Sequence, residues 1–319
     1  MTSQFVFILR RVLLTLPALW AMSVLVFLII RLVPGDPVRT MLGFRATEEN
    51  VATLRSELGL DEPLLQQYLT WAGGLLRGDF GNDIVSKAPL SELLAQRIPV
   101  TLELTTLAMA VAILVGVPLG VRAATGGKWI RRLTNGFVVG GVSIPDFWLG
   151  IMLVLVFAST IVIFPPSGYI PFTVDPLENL RYMVLPVLTL AVGEAAYILR
   201  TTRSAIESTM EQPHITFLRA KGLSERRITL GHALRGAAPS IVTVIGIQIG
   251  VLLGGAIVIE TLFALPGVGR LIVTAINQRN YPTVQAGVLV VAAAFILISL
   301  ATDIAIGWLD PRVADGAAT

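Results

Sequence analysis

Few residues in this chain can do chemistry. Cysteine is absent, which removes disulfides, thiolate metal sites and thiol nucleophiles. The two histidines, His214 and His232, stand in a basic stretch without a carboxylate cluster, a poor setting for a metal ion. There is no GxxxxGK(S/T) loop. Gly127-Lys128 lacks the upstream glycine, so nothing recognisable would cradle ATP phosphates. HExxH, GxSxG and a Ser/Lys pair within the apolar runs are also missing, which disfavours an intramembrane enzyme. What remains are ionisable residues set in apolar surroundings: Glu103, Asp146, Glu194 and Asp303. A charge there is costly, so it turns toward a cavity or a partner. Each can either tie the bundle together or line a polar path. Asp146 poses the question most sharply, because it follows Pro145 near the middle of an apolar run. Proline removes a backbone donor and frees a carbonyl at membrane depth. A free carbonyl beside a carboxylate must face protein or water. Asp146, Glu194 and Gln248 are the candidates for lining such a polar path, with Asp146 offering weak attraction to a cationic group.

A second chemistry-bearing stretch is basic. Residues 213–239 hold Arg219, Lys221, Arg226, Arg227 and Arg235 against one acid, Glu225. Such a segment crosses a bilayer poorly and belongs on the cytoplasmic side. Its pattern is two short helices. Ile215, Leu218 and Phe217 supply an apolar stripe to the first, and Gly222 stops it, as glycine does just past helix ends. Ser224 is placed to cap the second, with Glu225 in its first turn, where a negative charge suits the helix dipole. The stretch is either an ordinary positive-inside loop or a docking helix for a cytoplasmic partner.

The elements that must position these residues are membrane spans. Of 319 residues, 54% are hydrophobic and 14% charged, and mean hydropathy is +0.77, which marks a polytopic membrane protein. The net charge of +3 is too small to suggest nucleic acid. About twenty apolar residues cross the hydrocarbon core, and six runs qualify: 12–30, 101–121, 136–157, 183–199, 241–259 and 286–309. The first continues past a signal peptide's length without a small-x-small cleavage site and reads as a retained span. Residues 39–99 form a polar insert expected to hold three short helices, the last over 91–98. Gly116 and Gly120 form a GxxxG in the second span, and Gly246, Gly250 and Gly254 a stripe in the fifth. That stripe faces either a neighbour in this chain or a second subunit. Arg10, Arg11, Arg122, Lys128, Arg131, Arg132, Arg200, Arg203 and the basic stretch all fall inside if the amino terminus is inside.

Four motifs in order give a resemblance. Arg31-Leu32-Val33-Pro34-Gly35-Asp36-Pro37 ends the first span. Leu218-Arg219-Ala220-Lys221-Gly222-Leu223-Ser224 precedes His232-Ala233-Leu234-Arg235 and Pro239. Glu260 to Gly269, with its Pro266-Gly267-Val268-Gly269, precedes the last span, and Asp310-Pro311-Arg312 follows it. Together they resemble the dipeptide/oligopeptide (nickel) permease family of ABC importers, in its first-permease (B-type) subunit. Upstream of Gly222 the family's alanine pair is replaced by Phe217 and Leu218, so Ala220-Lys221-Gly222 carries that match.

The resemblance implies an all-α, six-span type I importer permease fold. Its divisions would be a first span over 1–33, an extracytoplasmic helical insert over 34–99 and a core over 100–319, with a coupling loop at about 204–236. It also implies no cofactor and no ATP hydrolysis in this chain. The expected partners are a second homologous permease, two ATP-binding subunits or domains docking on Arg219, Ala220, Lys221, Gly222, Leu223 and Ser224, an extracytoplasmic solute-binding protein, and the bilayer. The insert would either cap the bundle or receive the binding protein. The expected location is the cytoplasmic (inner) membrane of a bacterium, with both termini inside. The implied solute is a short peptide, whose amino terminus would be the cation that Asp146 attracts. Nickel or another small solute is the alternative within the family. An ion-coupled secondary transporter is the alternative outside it, but the inverted repeat it would need is not evident.

Overall fold

The structure is a computed structural model that describes residues 2–31, 37–43, 46–57 and 59–309. In chain order the helices are α1 (Thr2–Arg31), α2 (Pro37–Leu42), α3 (Glu48–Glu57), α4 (Leu64–Leu75), α5 (Leu90–Thr125), α6 (Lys128–Ser143), α7 (Asp146–Leu153), α8 (Pro176–Met210), α9 (Pro213–Ala220), α10 (Glu225–Ile228), α11 (Leu234–Leu262), α12 (Val268–Asn277) and α13 (Tyr281–Leu309). Turns of π-helix, Val154–Thr160 and Thr229–Ala233, extend α7 and join α10 to α11. No strand occurs among the described residues. Five helices are long and apolar enough to span a membrane, and α6 with α7, counted as one bent span, makes a sixth.

The bundle is built on α5, α8 and α11, which enclose Leu104, Ala108, Ala112, Leu185, Ile198, Leu252, Ile259 and Phe263. The α5–α8 contact is the most extensive, and the GxxxG explains it. A Cβ on Gly116 would stand 2.8 Å from the Ala195 carbonyl, and one on Gly120 2.6 Å from Thr202 Cβ. Only glycine lets the two backbones approach so closely. The second glycine stripe resolves in favour of a neighbour in the same chain at two of its three positions. A Cβ on Gly246 would collide with Thr302, and one on Gly250 with Phe295, both on α13, while Gly254 faces open space. α8 starts where Pro176 sets the first turn and the Asp175 carboxylate accepts from the amides of Leu177 (3.0 Å) and Glu178 (3.1 Å). α1 lies outside the bundle against α13, pinned by an Arg11–Asp303 ion pair of 3.0 Å and by Phe7 under Gly307.

Two expectations need correction, and a third is sharpened. The short helix expected at 91–98 and the span expected at 101–121 are one helix, α5, which runs through Pro99. Proline costs a hydrogen bond and kinks a helix without always ending it. Pro145-Asp146 interrupts the third run, and sharply: α6 and α7 meet at 102°. Ile144 and Pro145 are both extended (ψ 121° and 135°), as a residue before proline prefers to be. Ser224 precedes α10, but its side chain makes no capping hydrogen bond. The first-span exit motif, at Leu32 to Asp36, and Asp310-Pro311-Arg312 lie outside the described residues.

Candidate functional site

The polar group expected within the membrane divides into a pair and a single residue. Gln248 on α11 donates from Nε2 to Glu194 Oε2 on α8 at 2.6 Å, and both side chains are buried. This bond ties two central helices midway along each. Asp146 stands apart. It opens α7 directly after the extended Pro145, where the helix dipole favours a negative charge. Its Oδ1 lies over Gly193, 3.4 Å from where a Cβ would sit, and its carboxylate is near enough to Glu194 for the two to repel. Asp146 is exposed in the single chain. The bend therefore brings a carboxylate and a helix start to the open side of α8, beside a buried Glu–Gln pair.

The basic segment is compact. α9 buries Ile215, and its last turn ends at Gly222, whose φ of +81° is the left-handed conformation that glycine adopts cheaply. Across that turn Arg219 forks onto Glu225, Nε to Oε1 at 2.7 Å and Nη2 to Oε2 at 3.2 Å. Lys221 Nζ sits 4.6 Å from the centre of the Phe217 ring. Behind the turn is a polar cleft of about 620 Å³ lined by Arg131, Arg203, Glu207, Arg219, Glu225 and Thr229, among others. Within it Arg203 donates to Glu207 (3.0 Å) and to Asn135 (2.7 Å), and Arg131 lies 3.5 Å from Glu207. The cleft joins α6, α8, α9 and α10. Of the sequence candidates, Arg219, Ala220, Lys221, Gly222, Leu223 and Ser224 form one turn, with Leu223 N–H donating to the Leu218 carbonyl at 3.3 Å.

Two buried carboxylates at the opposite end of the bundle escaped the sequence reading. Glu260, at the end of α11, accepts from Thr101 Oγ1 (2.6 Å) and from the Arg270 amide (2.9 Å), while Thr101 Oγ1 in turn accepts from the Val268 amide (2.9 Å). Gly267 and Gly269 leave the room it needs. Asp83, in the insert, accepts from Asn280 Nδ2 and from Thr283 Oγ1 (2.8 Å) at the start of α13, and from the amide (2.6 Å) and hydroxyl (2.9 Å) of Ser86. Burial pushes the Asp83 carboxyl up, but the Ser86 amide, then Thr283, Ser86 and Asn280, outweigh it and leave it below the ordinary 3.8. The signal for Glu260 was an acid just before a Pro-Gly-x-Gly run; Asp83 had none beyond its turn. Glu103 accepts from Tyr169 Oη at 2.7 Å, and burial, with Glu103 adding to it, pushes the Tyr169 phenol up.

Residues 116–315 match the family described as binding-protein-dependent transport system inner membrane component, and residues 4–105 match its N-terminal part. A Brucella abortus (strain 2308) protein bearing the name of a peptide transport system permease is 40% identical over 96% of this chain and 98% of its own. The glutathione transport system permease protein GsiC of Salmonella typhimurium is 39% identical, and the dipeptide transport system permease protein DppB of Escherichia coli K12 is 38% identical, each over 96% of this chain and 98% of its own. Among solved structures, a chain of the inward-facing MetNI methionine ABC transporter aligns with a TM-score of 0.53 at 21% identity, covering 68% of this chain and 96% of its own, a likeness of fold. With the bent six-crossing bundle, these matches show that the chain belongs to the multi-pass inner membrane permease components of ABC importers.

Proposed function

We propose that this chain forms half of the pore of an importer for short peptides, paired with a second permease and driven by ATPases that dock on the turn from Arg219 to Ser224. The observation that carries the solute reading is Asp146, a carboxylate at a helix break beside a buried Glu194–Gln248 pair. A peptide's amino terminus is the complementary cation. The names of the Brucella, Salmonella and Escherichia relatives support the same solute class. A solute-binding protein delivers the peptide on the insert side. Residues 1–33, 34–99 and 100–319 act as first span, extracytoplasmic insert and pore-forming core, with residues 204–236 as the coupling segment.

Asp146→Asn keeps size and hydrogen bonding and removes the charge. In proteoliposomes holding the assembled importer, it should slow uptake of a dipeptide with a free amino terminus more than that of its N-acetyl form, with assembly unchanged. Equal slowing of both, or failure to assemble, would return Asp146 to a structural role. The basic segments support an orientation with both termini inside. A reporter active only outside the cytoplasm should work when fused after Pro89 and fail after Glu225; the opposite pattern refutes the orientation.

A further inference from the structure

The insert carries an apolar face that its own fold leaves open. α4 has no charged side chain from Leu64 to Leu76, the residue that follows it. Gln67 turns inward, its Nε2 donating to the carbonyls of Leu60 (3.2 Å) and Glu62 (2.7 Å). Tyr68 and Trp71 pack on Phe27 of α1, with ring centroids 5.3 and 5.6 Å away, and Tyr68 Oη lies 2.8 Å from Ser23 Oγ. Leu65, Leu69, Ala72 and Leu76 fall at i, i+4, i+7 and i+11, a single stripe. Leu65 is 69% exposed, Leu69 60% and Leu76 91%. Gln66 and Thr70, both exposed, border it on the polar flank.

The depth of this helix follows from what it touches. Phe27 lies four residues before Arg31, the first charge after the apolar run, or about 6 Å along α1. α4 therefore crosses α1 within about one turn of the hydrocarbon edge. Tyr and Trp are at home there, with apolar rings facing the chains and polar atoms facing the headgroups. α1 is itself a lipid-facing span, with Leu25 and Ile29 exposed beside the contact. An uncharged leucine stripe that continues this surface at that depth matches acyl chains better than the polar surface of a soluble protein.

We propose that α4 is an interfacial helix whose Leu65–Leu69–Leu76 stripe lies among the lipid acyl chains of the leaflet on the insert side. It would moor the insert to the bilayer and to α1 together, so that residues 37–89 keep a fixed height over the bundle. The membrane reading of the chain underlies this inference, but the peptide reading does not.

The absence of cysteine makes the test direct. Leu65→Cys, Leu69→Cys and, as the polar control, Gln66→Cys are each nitroxide-labelled in the assembled importer in lipid nanodiscs. Collision rates are read with oxygen, which partitions into lipid, and with a water-soluble nickel chelate. Leu13→Cys, on the exposed face of α1, supplies the lipid reference. The oxygen-to-nickel ratio at Leu65 and Leu69 should exceed that at Gln66 by about threefold or more and approach the Leu13 value, as for an apolar face sunk below the headgroups. A ratio equal to that of Gln66 would place the stripe in water and overturn the proposal. Labels reached by neither reagent would place it under protein, the second permease or a delivered binding protein, and would overturn it equally.

Discussion

Glu260 offers the sharpest perturbation, because the structure specifies what its removal strands. Its carboxylate is fully buried and accepts from Thr101 Oγ1 and the Arg270 amide, closing the segment between α11 and α12 onto α5. Glu260→Ala leaves those donors without their protein acceptor, in the space the carboxylate vacates beside Gly267 and Gly269. A stranded buried donor costs about 1–3 kcal/mol. Against this, the variant no longer has to bury a charge, which returns part of the loss. A net weakening of about 2–3 kcal/mol is expected, or roughly 30- to 150-fold in the population of the opened segment. Arg270 is only half-buried and is the natural reporter. Tryptic cleavage there in the folded importer tracks the opened population when closing outpaces cleavage, so its rate should rise by that factor. Thr101→Val should cost less, because Glu260 keeps the Arg270 amide. The double variant should fall short of the sum by about 1–2 kcal/mol, as residues sharing one network do. Cleavage at Arg270 that is unchanged in Glu260→Ala, or strict additivity of the two variants, would refute the latch.

Two further outcomes follow from the geometry. At Gly222 a Cβ would meet nothing within 4 Å, so the obstacle to a side chain is φ alone, at +81°. Gly222→Val should strain the turn by about 1–3 kcal/mol, abolish uptake and leave membrane insertion intact; full uptake with normal ATPase stimulation would sink the docking assignment. Asp83 carries a pH signature. Its folded pKa lies below the ordinary 3.8, so its contribution is fully present above that value and is lost as pH falls through the lower folded value. Amide protection across residues 78–89, with the intrinsic exchange rate divided out, should fall on acidification below 3.8. In Asp83→Asn protection should be low already and flat with pH; a flat wild-type profile would contradict the account.

The sequence made legible whatever depends on local chemistry. Long apolar runs marked the spans, because bilayer thickness sets their length. Gly222 announced the turn of the basic segment, since few other residues adopt its backbone angles readily. The GxxxG at Gly116 and Gly120 announced a close approach without naming α8 as the partner. What failed was the reading of Pro99. Pro99 and Pro145 look alike in sequence, yet α5 passes through the first and the third crossing turns by 102° at the second. The difference lies in packing. α5 is held along its length by α8, whereas α7 is drawn aside so that Gly150 can seat under Leu262 and Thr189. The two buried carboxylates were illegible for a different reason. Glu260 finds Thr101, and Asp83 finds Asn280 and Thr283, 159 to 200 residues away, and no periodicity reports a pairing at that range.

Those pairings make the two ends of the bundle mechanically unequal. At the insert end the ties are dry: Glu260 and Asp83 are nine-tenths or more buried, and each is held by several donors. Losing any one strands groups that water cannot reach, so these contacts resist small displacements. At the end carrying α9 and α10 the ties are wet. Glu207 with Arg203 and Arg131, and Arg219 with Glu225, are partly to largely exposed ion pairs. Such pairs contribute at most about 1 kcal/mol and re-form with water or with one another at little cost. A displacement applied at the α9 turn therefore deforms the wet end first, shifting Arg131 and Asn135 of α6 against α8 before it disturbs α12 or the insert. α6 leads directly to the bend at Pro145, where the helical hydrogen bonding is already interrupted and Asp146 begins α7. The bend thus lies between the wet end and the dry one, and Asp146 begins the helix beyond it.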